Sequence, residues 1–126
     1  MAKLTLNQLI ANRIEHEKKR TSKDISVRSL GGELTFEKPP NEVLLDLMDK
    51  VGDGSNARDA IQAFRELIYD SCQMLKSREL HEEYGIKDPY DIVDALFDLG
   101  DIVTVGTQLL EMTGLNAEDL DIKIKN

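Results

Sequence analysis

The sequence LIYDSCQMLKSRELHEEYGIKDPYDIVDALFDLGDIV, residues 67–103, decides how this chain is interpreted. Ser77 and Asp88 are residue types that cap helix N-termini, and Gly85 suits the left-handed end of a helix. Residues 79–101 contain eight acidic side chains and a single basic one. This stretch therefore predicts short helices that present a strongly negative surface.

Outside this stretch, apolar residues recur at spacings of three and four through most of the chain, which is the pattern of amphipathic helices. We expect a first helix from Thr5 that fades by Lys19, a second over about 42–51 and a long third one capped near Ser55 or Asn56. Further helices are expected at about 77–85, from Asp88 to about residue 99, and over 101–114. The helix from Asp88 is expected to bury Ile92, Ala95, Leu96 and Leu99. The third helix, which carries Phe64, Leu67 and Ile68 on one side, is expected to be central to the core.

Between residues 25 and 36, apolar residues alternate with polar ones instead of recurring at every third or fourth position. Ile25, Val27, Leu34 and Phe36 are separated by polar residues, and Gly31-Gly32 between them tolerates the positive φ angles of a tight turn. This pattern predicts a two-stranded β-hairpin. Because an isolated hairpin is only marginally stable, its apolar face is expected to pack on helices or on another molecule's sheet.

The length of 126 residues suits a single domain with one core. The predicted fold class is mainly α, of the α+β type, with about five to six short helices and one N-terminal β-hairpin. Residues 1–20 form an N-terminal helix and linker that can order against a partner. Residues 21–114 form the hairpin and helical core, and 115–126 a weakly ordered tail.

Composition narrows the class of protein. The net charge is −8, which favours solubility and opposes binding to nucleic acid or anionic lipid. No apolar run approaches the roughly 18 residues that a bilayer span requires, and the N-terminus lacks the pattern of a signal peptide. A cytoplasmic location is expected.

The single cysteine, Cys72, lies among apolar residues without a basic neighbour, so we expect a buried side chain rather than a reactive thiol.

No pattern in the chain specifies catalysis. The two histidines, His16 and His81, have no second ligand at metal-binding spacing, and Gly31-Gly32 lacks the remainder of a phosphate-binding loop. The carboxylates are explained by helix caps and solvated faces. We therefore expect a non-enzymatic protein with no catalytic, cofactor-binding or metal-binding residues.

Four sequence elements resemble those of the XkdN-like phage tail assembly chaperones. They are Ser29–Pro40 (SLGGELTFEKPP), Leu67–Cys72 (LIYDSC), Glu83–Gly85 (EYG) and Asp88–Asp91 (DPYD). The resemblance lies in the residues of these elements and in their order along roughly residues 4–113. It implies a non-structural protein that coats the aggregation-prone tape measure protein, helps bring tail tube subunits to it, and is absent from the mature virion.

Three surfaces are candidate partner-binding sites: the apolar side of the first helix, the apolar face of the hairpin, and the acidic region of residues 88–101. Their residues are Leu6, Leu9, Ile10, Ile14, Ile25, Val27, Leu34, Phe36, Tyr90, Asp91, Asp94 and Asp98. The sequence leaves open whether the side chains of the first helix bind a partner or dock on the core of their own chain.

Two other functions are kept as alternatives. A small helical DNA-binding regulator would need a recognition helix with basic and amide side chains, whereas the helices here are acidic. A structural phage tail or connector subunit would differ by remaining in purified particles. The mildly basic residues 1–20 beside an acidic body also allow head-to-tail contacts between copies, or simply a solvated helix end.

Overall fold

The computed structural model describes residues 3–11, 22–51 and 56–114. Within these ranges the chain is mainly helical, with six α-helices and one two-stranded antiparallel sheet in a single domain, which confirms the expected fold class. The elements are α1 (6–11), β1 (Ser22–Val27), β2 (Gly32–Glu37), α2 (Asn41–Val51), α3 (Ala57–Ser71), α4 (Arg78–Glu83), α5 (Asp91–Leu96) and α6 (Leu99–Met112). Short 3-10 turns occur at Arg28–Leu30 and Gln73–Lys76.

Helix α3 is central to the core, as its apolar spacing predicts. It packs against α2 on one side and α6 on the other, and it also contacts α5 and β2. Phe64, Leu67 and Ile68 are buried along its length. The helix begins at Asn56, whose side chain accepts a hydrogen bond from the Arg58 N–H at 3.0 Å, which is the geometry of an N-cap.

The hairpin places its apolar residues on one face. Ile25 pairs with Leu34 across the two strands, and Val27 pairs with Gly32. Ile25, Val27 and Phe36 are buried, because β1 packs on α6 and β2 packs on α3. The sequence allowed the hairpin to pack on helices or on another molecule's sheet. The structure shows that it packs on helices of the same chain.

The turn of the hairpin differs from the prediction. The connection is the 3-10 turn Arg28–Leu30 followed by Gly31, so it is longer than a tight Gly31-Gly32 turn. Gly31 has the expected positive φ of 67°, which an L side chain rarely adopts. Gly32, by contrast, is the first residue of β2.

Helix α4 has both of its predicted ends. The hydroxyl of Ser77 accepts from the Leu80 N–H at 3.5 Å. At the other end Gly85 has a φ of 63°, and the Ile86 N–H donates to the His81 carbonyl at 2.9 Å. With the Gly85 N–H donating to the Glu82 carbonyl at 3.2 Å, these bonds form a Schellman motif.

The boundary between α5 and α6 was predicted incorrectly. Asp88 does not start a helix: its carboxylate accepts from the Tyr90 N–H at 3.1 Å in a separate turn, and α5 begins only at Asp91. Phe97 is extended, with φ −116° and ψ 134°, so it breaks the helical period. Helix α6 then starts at Leu99 rather than Asp101.

The break at Phe97 changes which side chains are buried. Val93 and Phe97 lie in the core, whereas Leu99 is exposed. A single helix through residue 99 predicted that Leu99 would be buried, and this prediction was wrong. The predicted end of the first helix at Lys19 and the tail 115–126 lie outside the described residues. Among the described helices, none combines the length and the apolar content needed to cross a bilayer.

Candidate functional site

The apolar side of α1 lies on the surface. The helix is well started, since the Thr5 N–H donates to the Gln8 side chain at 2.9 Å and the Gln8 N–H donates to the Thr5 hydroxyl at 3.2 Å. Leu6, Leu9 and Ile10 nevertheless remain 73%, 54% and 62% exposed. In this structure these three side chains do not dock on the core of their own chain. Ile14, the fourth candidate on this helix, lies outside the described residues.

The hairpin face is not a free surface. Ile25, Val27 and Phe36 are each at most 1% exposed, so these three predicted partner-binding residues form part of the core in this fold. Their burial follows from the packing of the hairpin on α3 and α6. Only Leu34, which is half-buried, reaches the surface.

The structure brings Tyr90, Asp91 and Asp94 together at one end of α5. Arg65 of α3 forms an ion pair with Asp94 and approaches Asp91 at 3.5 Å. Tyr90 packs edge-on against Tyr69, with ring centroids 5.2 Å apart. The two carboxylates are therefore partly neutralised by Arg65, which weakens the negative potential expected there.

Asp98 lies apart from that group, at the N-cap of α6. Its neighbour Asp101 is almost fully buried, and one oxygen of its carboxylate accepts from the backbone N–H groups of Asp98 at 3.2 Å and Ser29 at 3.3 Å. The Ser29 hydroxyl donates to the Leu96 carbonyl at 2.8 Å. Ser29 and Asp101 thus fasten the hairpin turn to the junction between α5 and α6.

The pKa of the Asp101 carboxyl reflects these contacts. Burial by itself raises the pKa, but hydrogen bonds, among them those from the backbone N–H groups of Ser29 and Asp98, outweigh it and hold the pKa below the ordinary value. Asp101 is therefore ionised at neutral pH and acts as an acceptor within the fold. Its place in an acidic stretch gave no sign of this structural role.

An apolar groove of about 390 Å³ opens between the hairpin turn and α4. Residues from four separate parts of the chain line it. They are Leu30 and Leu34 of the hairpin, Met74 and Leu75 of the second 3-10 turn, Ser77, Glu79, Leu80 and Glu83 at or on α4, and Leu96 of α5. We call this surface the α4 groove.

Two side chains of the α4 groove are unusually exposed for their type. Met74 is 64% exposed and Leu30 is 42% exposed, while Glu79 and Glu83 form an acidic rim. Sequence reasoning missed this site apart from Leu34. No local sequence signal identifies it, because the exposure of Met74 and Leu30 is a property of the fold.

A polar cluster lies on the other side of the core, between α2, α3 and Tyr90. Lys50 of α2 forms an ion pair with Glu66 of α3, and this hydrogen bond raises the pKa of Lys50. Burial raises the pKa of Asp70 and of Tyr90. The adjoining cavity is small, about 80 Å³, so the cluster joins two helices without forming a binding site.

The remaining chemistry is limited. Cys72 is fully buried as expected, and burial raises the pKa of its thiol, which lowers its reactivity. Over residues 3–11, 22–51 and 56–114, no group of three or more His, Cys, Asp or Glu side chains is arranged to hold a metal ion.

Comparisons of this chain with protein-family models, with curated proteins and with solved structures gave no match.

Proposed function

We propose that this chain is a phage tail assembly chaperone, a non-enzymatic protein that keeps the tape measure protein soluble and helps recruit tail tube subunits. These two partners are proposed because residues 4–113 resemble the XkdN-like family. The observation that carries the proposal is the exposed apolar stripe of α1, formed by Leu6, Leu9 and Ile10.

The stripe has the form that binds other helices. Its side chains lie at i, i+3 and i+4 on a capped helix, which is the spacing of anchors that enter a hydrophobic groove. The net charge of −8 keeps a protein with such a stripe dispersed in solution. Several copies of this chain cover a long client with repeated apolar segments in the same way. The negative charge of the bound copies then makes the complexes repel one another.

The strength of one such contact is modest. Complete burial of a Leu or Ile side chain contributes about 1.5–3 kcal/mol, so burying the exposed parts of three gives on the order of 3–5 kcal/mol. Association itself costs as much or more, roughly 4–15 kcal/mol. A single stripe therefore binds weakly and reversibly, and stable coverage requires several copies on one client, or additional contacts on each copy.

Where the locus also encodes a long, coiled-coil-rich protein, co-expression with that protein tests the proposal. We expect the wild-type chain to raise the soluble fraction of that protein and to co-purify with it. The variant Leu6→Ser/Leu9→Ser/Ile10→Ser is expected to lose both effects while its thermal unfolding stays unchanged, because these side chains are not in the core.

A matched control removes exposed apolar area elsewhere. Leu45 of α2 and Leu99 of α6 are 59% and 62% exposed, and Leu45→Ser/Leu99→Ser is expected to retain client binding. The proposal is rejected if the wild-type chain neither solubilises nor co-purifies with the client, or if the control variant loses binding to the same extent as the α1 variant.

A further inference from the structure

We propose that the α4 groove is a second binding site, separate from the α1 stripe, and that it takes an amphipathic helix of another protein that carries Lys or Arg beside a short apolar stripe. The site consists of exposed apolar side chains brought together from distant parts of the chain, with carboxylates along one edge. It is independent of whether the client of α1 is the tape measure protein.

The first argument is the exposure of apolar side chains. Leu30 and Met74 are 44 residues apart in sequence, yet both line the α4 groove, where Met74 is largely exposed and Leu30 is exposed to a little under half. Leu80 and Leu96 extend the same surface into the core. Contiguous exposed apolar surface bounded by polar residues is typical of protein-binding sites, and the unbranched, polarisable side chain of Met74 adapts to different partners.

The second argument is charge. Glu79 and Glu83 are four residues apart, so they lie on the same side of α4, about 6 Å from one another. Among the described residues 3–11, 22–51 and 56–114, neither is paired with a cation, whereas Glu82, which does not line the groove, is paired with Arg78 at 3.0 Å. The rim carboxylates are thus available for a partner, and their charge favours Lys or Arg.

The third argument is size. Helix α4 has six residues, which corresponds to roughly 9 Å at 1.5 Å per residue. This length corresponds to between one and two turns of a bound helix, which present apolar side chains at i and at i+3 or i+4. Basic residues one turn apart on the edge of that helix then face Glu79 and Glu83.

A peptide partner fits better than a small molecule. Sites for small ligands are concave and enclose most of the ligand, whereas the α4 groove is open along one side, and its walls belong to the hairpin, a 3-10 turn and two helices. An open groove buries one face of a helix and leaves the other face in water, which is how amphipathic helices bind.

Two synthetic helical peptides of about 14 residues test the proposal. Both carry leucines at i, i+4 and i+7; one has lysines beside the leucine stripe and the other has glutamates. We expect the full-length protein to bind the lysine peptide by fluorescence anisotropy and to bind the glutamate peptide at least about 10-fold more weakly. Affinity for the lysine peptide is expected to fall as salt rises.

Variants localise the binding. Leu30→Ser/Met74→Ser is expected to weaken binding of the lysine peptide at least about 10-fold, and Glu79→Gln/Glu83→Gln about 3- to 10-fold, with a reduced salt dependence. Glu82→Gln, on the same helix, is the control and is expected to bind like the wild type. In methyl-labelled protein the Met74 signal shifts on peptide addition, while that of Met48 on α2 does not.

The result that overturns the proposal is equal binding of the two peptides, no binding of either, or unchanged binding by the Glu79→Gln/Glu83→Gln variant. A second copy of this chain is the other possible occupant. If the protein alone self-associates in sedimentation experiments, and both Leu6→Ser/Leu9→Ser/Ile10→Ser and Leu30→Ser/Met74→Ser abolish this, the groove takes α1 of another copy and the proposal of a foreign helix is wrong. Peptide binding that survives the α1 substitutions separates this site from the proposed function.

Discussion

Replacing Gly106 by alanine tests how closely α6 packs against α3. Gly106 lies in the middle of α6 and faces Phe64 of α3, which is buried. A Cβ at position 106 would lie 2.6 Å from Cγ and from Cδ1 of the Phe64 ring and 3.1 Å from its Cβ. Since van der Waals contact between carbon atoms begins near 3.5 Å, the ring or a helix has to move.

Two effects of opposite sign determine how much Gly106→Ala changes the free energy of unfolding. In the interior of a helix alanine is more favourable than glycine by about 1 kcal/mol. Adding a methyl group to a packed core typically costs about 1–3 kcal/mol, and the upper end applies here because two ring atoms of a buried side chain are too close. We therefore expect Gly106→Ala to lower the free energy of unfolding by about 2 kcal/mol, even though helix propensity alone predicts a gain.

Urea unfolding followed by circular dichroism measures this change. The matched control is Gly100→Ala in the same helix, where nothing lies within 4 Å of the added Cβ, and we expect it to be neutral or to gain up to about 1 kcal/mol. Combining Gly106→Ala with Phe64→Leu is expected to cost less than the sum of the two single changes. If Gly106→Ala is as stable as the wild type, α3 and α6 do not approach as closely as described.

Two further substitutions, at Asp101 and Asp70, and a labelling experiment at Cys72 test ionisable groups within the fold. Asp101→Ala is expected to cost about 3 kcal/mol, since two hydrogen bonds to a charged acceptor are lost at about 1.5 kcal/mol each, while Asp91→Ala, on an exposed carboxylate, stays within about 0.5 kcal/mol. Because the folded pKa of Asp101 is lowered, its contribution is present above the ordinary pKa of 3.8 and is lost as the pH falls below that value; an Asp101→Ala deficit that is the same at pH 3 and pH 7 contradicts this. Asp70 has a raised folded pKa, so its ionisation weakens folding as the pH rises, and Asp70→Asn is expected to be at least as stable as the wild type at pH 7 by thermal unfolding. A thiol reagent is expected to label Cys72 only as fast as the chain opens, and labelling at the rate of a free thiol would show that it is not buried.

The main elements could be predicted because hydrophobic periodicity is a local signal. Alternation around Ile25 and Phe36 identified the hairpin, and spacing of three and four identified α3. The helix ends at Ser77 and Gly85 were also predictable, since capping and a left-handed C-terminal residue depend on neighbours within a few positions. These features need no knowledge of the tertiary fold.

The features that could not be predicted depend on contacts between distant residues. The exposure of Leu6, Leu9 and Ile10 was open, because a narrow stripe fits either a partner or the core. Two short helices separated by an extended Phe97 have the same apolar spacing as one longer helix, so the burial of Leu99 was misjudged. The α4 groove combines parts of the hairpin with α4 and α5, and no local pattern relates them.

The link between Ser29 and Asp101 has a consequence for how the chain is made. The two residues are 72 positions apart, and the ribosome adds about 5–20 residues per second, so roughly 4–14 s separate their synthesis. The rest of α6, the helix that covers β1, is made after Asp101. During this interval the apolar face of the hairpin at Ile25, Val27 and Phe36 has no α6 to pack on, and the newborn chain itself is then open to association with other unfolded proteins.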